Sequence, residues 1–289
     1  MHQEATEVKA GAGAGEILRS VTAAGNERDF VQSLERGFAV LLAFDEERTN
    51  PTLAELATAT NLSRPAVRRL LLTLQRMGYV TSDGPRWSLT PRVLTIGRHY
   101  TATRAMIDLA HPHLLRLAEA TGESASLAEL DGNEAVYVAR VPVRRIMSIN
   151  VAVGTRLPAH ATSMGRVLLA WAGPERITRY LEEVPLRSYT ARTVTDPAEL
   201  RTALSAVRHD GLSIVDGELE EGLLSASAPV RDRTGAVVAA LASSTTTGRL
   251  APERLRKETV PVLLETAAAI STDLGYDPKP PPVRRDGFY

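Results

Sequence analysis

The chain has 289 residues, enough for two domains with separate cores. Its 34 basic residues balance 34 acidic ones, and its apolar and charged shares are those of a globular protein. Having no cysteine, it forms neither disulfides nor thiolate metal sites, and no run of about 18 uncharged apolar residues is present to cross a membrane. Glu4 and Glu7, with no apolar core beside them, argue against a secretory signal, so a cytoplasmic location is expected. Nearly all the basic residues are arginine, which we read as codon bias rather than function.

Residues 1–27, with Gly11-Ala12-Gly13-Ala14-Gly15 and scattered charges, read as a mostly disordered arm. From Ser33 to Phe44 the apolar set Leu34, Phe38, Leu41 and Leu42 predicts an amphipathic helix. Arg36 on that helix either reaches a phosphate or is a solvated surface arginine. Thr52 and Glu55 have capping-box spacing, so the next helix starts there, with Leu53, Leu56 and Ala57 on one face. Asn61 and Leu62 interrupt it, and Ser63 can cap a further helix. In that helix Val67, Leu70, Leu71 and Leu74 follow core spacing, leaving Arg64, Arg68, Arg69 and Thr73 outside the apolar stripe. Two short helices joined by a tight turn, the second presenting arginines, form a helix-turn-helix pattern. The alternative is an ordinary helical hairpin with a solvated basic face.

The segment from Gly78 to Arg104 favours the helix-turn-helix. Gly78 ends the helix, and Tyr79–Thr81 and Arg86–Leu89 flank the turn signal Ser82-Asp83-Gly84-Pro85. A helix-turn-helix followed by a hairpin is a winged helix. Between Ser63 and Arg104 stand Arg64, Arg68, Arg69, Arg76, Arg86, Arg92, Arg98 and Arg104, against the single acid Asp83. A basic module on a neutral chain is the electrostatic footprint of binding to double-stranded DNA. The DNA-contact candidates are Arg36, Ser63, Arg64, Arg68, Arg69, Thr73 and Arg86.

Pro91 opens a helix running through Leu94, Ile96, Tyr100 and Met106 to about Asp108, and His111-Pro112-His113 opens another that ends at Gly122. The second half then changes character. Strand-like runs are Ser124–Leu130, Ala135–Val141, Ile146–Val153, Leu212–Val215, Leu223–Val230 and Ala236–Thr245. Asp131-Gly132-Asn133-Glu134 and Asp232-Arg233-Thr234-Gly235 are their turns. Arg156 to Ser163 reads as an irregular loop, and Met164–Ala172 as a buried helix. Pro174–Leu181 and Asp196–His209 are further helices, the second capped by Asp196. Pro252–Leu274 is a closing helix with Pro261 as a point of kinking. This is an α+β domain with an antiparallel sheet. The expected division is an arm at 1–27, a winged helix-turn-helix at 28–90, a linker helix at 91–109, an α+β domain at 110–276 and a tail at 277–289.

Several stretches resemble the IclR-type transcriptional regulators. Phe30 to Gly37, Leu62-Ser63-Arg64 and Leu70 to Leu74 look like the DNA-binding half of that family. Gly154 to Ala170, Asp216 to Gly222 and Ser225 to Val230 look like its effector-domain signatures. The opening Gln32-Ser33-Leu34-Glu35-Arg36-Gly37 and the run Thr162-Ser163-Met164-Gly165-Arg166 most resemble the branch that controls aromatic-acid catabolism through the β-ketoadipate route. The resemblance implies a GAF/profilin-like second domain that binds a small organic or aromatic acid. It also implies dimers, often paired into tetramers, on a DNA operator. One departure from the family pattern is Pro65, early in the recognition helix, a position tolerable in a first turn.

Where the signatures converge, a ligand site is expected. Its apolar candidates are Ile146, Ile149, Leu157, Met164 and Leu223, and its polar candidates are Arg156, His160, Ser163, Asp216, Glu218, Ser225, Ser227 and Ser244. Each serine is otherwise a strand hydroxyl satisfied by backbone, and His160 is otherwise structural. Asp216 and Glu218 suit an anion poorly; they either orient Arg156 or bind a ligand hydroxyl. Neither cofactor nor metal is expected: there is no phosphate loop, and His111 and His113 diverge on a helix. Two other functions stay open. Ser163, His160 and Asp216 could serve as nucleophile, base and orienter of a hydrolase, or the chain could bind DNA with no ligand.

Overall fold

The computed structural model describes residues 30–45, 48–97, 105–143 and 151–278, which fall into two compact units divided between Arg104 and Ala105. The expected arm 1–27, the residues Ile146 and Ile149, Arg98, Tyr100 and Arg104, and all but the first residues of the expected tail lie outside the described residues.

The first unit begins with helix α1, Gln32–Leu42. Helix α2, Leu53–Thr60, starts with the full reciprocal cap: the Glu55 amide donates to Thr52 Oγ1 at 3.3 Å and the Thr52 amide to Glu55 Oε2 at 2.6 Å. Asn61, at φ 55°, makes the left-handed turn that asparagine tolerates. Ser63 then caps α3, Arg64–Arg76, accepting from the Ala66 amide, and Pro65 sits in the first turn, where its missing N–H is harmless. Strands β1, Val80–Asp83, and β2, Arg86–Leu89, close a two-residue hairpin at Gly84-Pro85. Val40, Leu56, Val67 and Leu71 form the core, flanked by Leu74 and Val80.

α1 packs through a different face from the one its large residues suggest. Ala39, Val40 and Ala43 are buried, whereas Phe30, Leu34, Phe38 and Leu42 are exposed, Leu34 to 61%. Small side chains let the helix approach its neighbours closely, and the bulkier stripe is left outside.

In the second unit, helix α4 runs unbroken from Ala105 to Thr121 with Pro112 inside it. The sequence pattern predicts instead that one helix ends near Asp108 and another begins at His111. Pro112 and Asp108 are both exposed, so water solvates the carbonyl that loses its partner, while Met106, Ala110, Leu114 and Leu117 hold one buried face across the proline. Next come β3, Ser124–Asp131; β4, Glu134–Val141; β5, Arg156–Pro158; α5, Ser163–Ala170; α6, Pro174–Glu183; α7, Pro197–Asp210; β6, Ser213–Asp216; β7, Leu223–Arg231; and β8, Val237–Thr246. A helical turn at Pro252–Arg254 and a wide π turn at Leu255–Thr259 lead into α8, Val260–Asp273. The wide turn lies just ahead of Pro261, as expected where an amide donor is missing.

The six strands form one antiparallel sheet in the order β5-β4-β3-β8-β7-β6. One of its edge strands is Arg156–Pro158, where the sequence predicts a loop; of the expected strand Ile146–Val153 only residues 151–153 are described, and these are irregular. One apolar layer packs against α4 and α8; a second, on the opposite face, packs against α5, α6 and α7. α5 lies so close to the turn before it that a Cβ on Gly165 would stand 2.2 Å from the Ala159 Cα, so only glycine fits there. This seam fixes the N-terminus of α5 over the sheet.

Candidate nucleic-acid interface and ligand cavity

α3 has 13 residues and is about 20 Å long at about 1.5 Å per residue. Its buried face, Val67, Leu71 and Leu74, turns Arg64, Arg68, Arg69, Thr73 and Arg76 outward. None of these four arginines is paired with an acid among the described residues. A helix of this diameter fits the DNA major groove, where arginine reads guanine edges or neutralises phosphates. Exposed Leu72, which sequence reasoning does not single out, lies among them and is the kind of group that touches thymine methyls. The hairpin is braced on this helix: Gln75 Nε2 donates to Ser82 Oγ at 3.0 Å. Arg86 is exposed on the wing but ties it to the preceding loop, donating to the Asn50 carbonyl at 2.8 Å. Arg36 is half-buried on α1, and Ser63 is committed to its cap.

In the second unit a narrow cavity of about 30 Å³ opens at the N-terminus of α5. Leu157, Ser163, Met164, Leu223, Ser225 and Ser244 line it, all of them expected from the sequence, together with Tyr137, Ala161, Thr162, Val215 and Leu219. Ser163 Oγ donates to Ser225 Oγ at 2.9 Å and lies 2.7 Å from Ser227 Oγ, so three buried hydroxyls from α5 and β7 form one cluster. Thr162 caps the helix through the Gly165 amide, and the preceding amides of the first turn have no partner within the helix.

The charged candidates sit elsewhere. Arg156 is held at the sheet edge by Glu134, at 2.6 Å, and by Asp131. Asp216 pairs with the exposed Arg192. Glu218 is buried against Arg166 of α5 at 2.5 Å and also accepts the Val194 amide. Arg166 in turn donates to the His160 carbonyl at 2.8 Å. His160 does not line the cavity. Its Nε2 lies 3.0 Å from the Arg187 carbonyl, which makes that nitrogen the donor, and its burial pushes the imidazole below its ordinary pKa, favouring the neutral ring.

Two family models cover these two units. The IclR helix-turn-helix domain matches residues 33–84, and the bacterial transcriptional regulator IclR C-terminal domain matches residues 98–272. The chain belongs to the IclR family of bacterial transcriptional regulators. It is 42% identical to the Pca regulon regulatory protein of Pseudomonas putida, over 85% of this chain and 84% of the relative. A crystal structure of a Rhodococcus sp. RHA1 protein assigned as a transcriptional regulator superposes with a TM-score of 0.76 at 46% identity, covering 85% of this chain and 98% of that one. An IclR homologue from Microbacterium hydrocarbonoxydans, solved with 4-hydroxybenzoate, superposes with a TM-score of 0.74 at 29% identity, over 84% and 98% of the two chains.

This IclR-family chain is therefore a DNA-binding transcriptional regulator. The hydrolase arrangement does not assemble: Ser163 bonds to serines, His160 to the Arg187 carbonyl, and Asp216 to Arg192. Sequence reasoning misses Tyr137, which alternates along a strand like any core residue. Only its place in the sheet brings it to the cavity.

Proposed function

We propose that this regulator senses a small carboxylic acid, with aromatic acids the leading class, in the cavity at the N-terminus of α5. The observation that carries the reading is the buried cluster of Ser163, Ser225 and Ser227 beside that helix end. Hydroxyls and first-turn amides in an apolar enclosure recognise a carboxylate without a full counter-charge. The relative solved with 4-hydroxybenzoate supports the ligand class. On this reading residues 28–90 bind DNA, residues 110–276 bind the acid, and the segment 91–109 carries the signal between them. The protein works in the cytoplasm as a homodimer or tetramer on a two-fold operator, where paired half-sites raise specificity.

A cavity of about 30 Å³ has room for a water or two. A benzene ring occupies cavities of about 150 Å³. Binding an aromatic acid therefore repacks the walls, which gives the ligand different affinities for two protein states. The test is thermal denaturation with a panel of aromatic and aliphatic acids, followed by DNA mobility shifts with each acid that binds. At a hundredfold excess over Kd, the bound acid stabilises the protein by about 2.7 kcal/mol. A panel without a single stabilising acid, or bound acids that leave DNA affinity untouched, rejects the proposal.

A further inference from the structure

Tyr137 is the polar group the serine cluster does not account for. It is 6% exposed and lines the cavity, and among the described residues its hydroxyl makes no hydrogen bond. A hydroxyl that lines a cavity without a protein partner is free to pair with whatever enters it. Burial raises the phenol to about 12, so at neutral pH it stays protonated and can donate.

Its position is fixed from the backbone. The Tyr137 amide donates to the Thr155 carbonyl at 3.0 Å, its carbonyl accepts the Gly154 amide at 2.7 Å, and on the other side it is in register with Ala128 of β3. The phenol therefore stands on a strand paired along both edges. The sheet order places β4 three strands from β7, roughly 14 Å at about 4.8 Å per strand. Ser225 and Tyr137 thus line the cavity from strands three apart, with Ser244 of β8 beside Ser225 and the apolar Leu157, Met164, Leu219 and Leu223 completing the wall.

We infer that Tyr137 is the specificity-determining residue of this cavity, its hydroxyl donating to a second oxygen at the end of the acid remote from the carboxylate. The ligand class is then an aromatic acid carrying a hydroxyl, carbonyl or second carboxyl group opposite its first. The inference rests on the cavity being the acid site. An acid without the second oxygen, such as benzoate, leaves the phenol desolvated and unpaired. Sites built to hydrogen-bond a ligand group reject the analogue lacking it for that reason.

The experiment is calorimetric titration of the full chain and of Tyr137→Phe with benzoate and with 4-hydroxybenzoate. The variant keeps the ring, and matched thermal unfolding of the ligand-free proteins checks that the wall is intact. Wild type is expected to bind 4-hydroxybenzoate about tenfold more tightly than benzoate, and Tyr137→Phe to bind the two alike, with benzoate at least as tight as in wild type. Equal weakening of both acids in the variant would make Tyr137 a packing residue and overturn the inference, as would a preference that survives the substitution. If wild type binds neither acid, the acid reading of the cavity fails first, and the role of Tyr137 with it.

Discussion

Arg166→Met removes one half of the buried ion pair on which the cavity wall rests. Arg166 and Glu218 have side chains only 7% and 10% exposed, and their atoms meet at 2.5 Å. The methionine fills much of the arginine's volume, so the lost packing is small. The dominant effect is that Glu218 stays buried without its cationic partner, the Val194 amide being its remaining donor among the described residues. Leaving such a charge unpaired costs about 3–5 kcal/mol, whereas replacing both partners by apolar residues is often neutral. The double substitution Arg166→Met with Glu218→Leu should therefore recover most of the loss. Urea denaturation of wild type, single and double variants measures the loss and its recovery. A single variant within about 1 kcal/mol of wild type would show that the pair is solvated and that the reasoning is wrong.

Arg68→Ala should weaken operator binding and lower the salt slope of log K by about 0.9 if the side chain meets a phosphate, while changing stability by less than about 0.5 kcal/mol, because Arg68 is exposed on α3. Mobility shifts across a salt series decide it; an unchanged affinity would make Arg68 a surface arginine. Ser163→Leu should abolish the response to acids and leave DNA binding by residues 28–90 intact, because the added bulk fills the end of the cavity. A variant that responds at the same acid concentration would place the pocket elsewhere.

What can be read in the sequence is what local signals specify. Thr52 with Glu55, Ser63 and Asp196 announce helix starts because a cap is made by residues two or three apart. The serines of the cavity are legible through the family signatures in which they stand. The partners of Glu218 and Asp216 are not, because Arg166 is 52 residues from the first and Arg192 is 24 from the second; no pattern of spacing encodes such pairs. The face of α1 misleads for a related reason. Periodicity identifies apolar residues on a helix, but which of two apolar stripes packs depends on how closely the neighbouring helices approach. β5 escapes notice because three residues ending in proline carry too little alternation to announce a strand; pairing with β4 makes it one.

The small volume of the cavity bears on how sensing would work. Two of its boundaries are stiff: the α5 seam, where Gly165 admits no side chain against Ala159, and the segment after β6, which Glu218 binds to Arg166. The walls free to yield are side chains, Met164, Leu219 and Leu223. Of these, Leu219 and Leu223 are only partly buried, so they can move toward solvent without opening a void in the core. A ligand shifts an equilibrium only by its difference in affinity for the two states. On the proposed reading, an acid small enough to enter without displacing those leucines would bind both states alike and leave DNA affinity unchanged. A ring would force them aside, so ring size, and not affinity alone, would separate an effector from a bystander in this cavity.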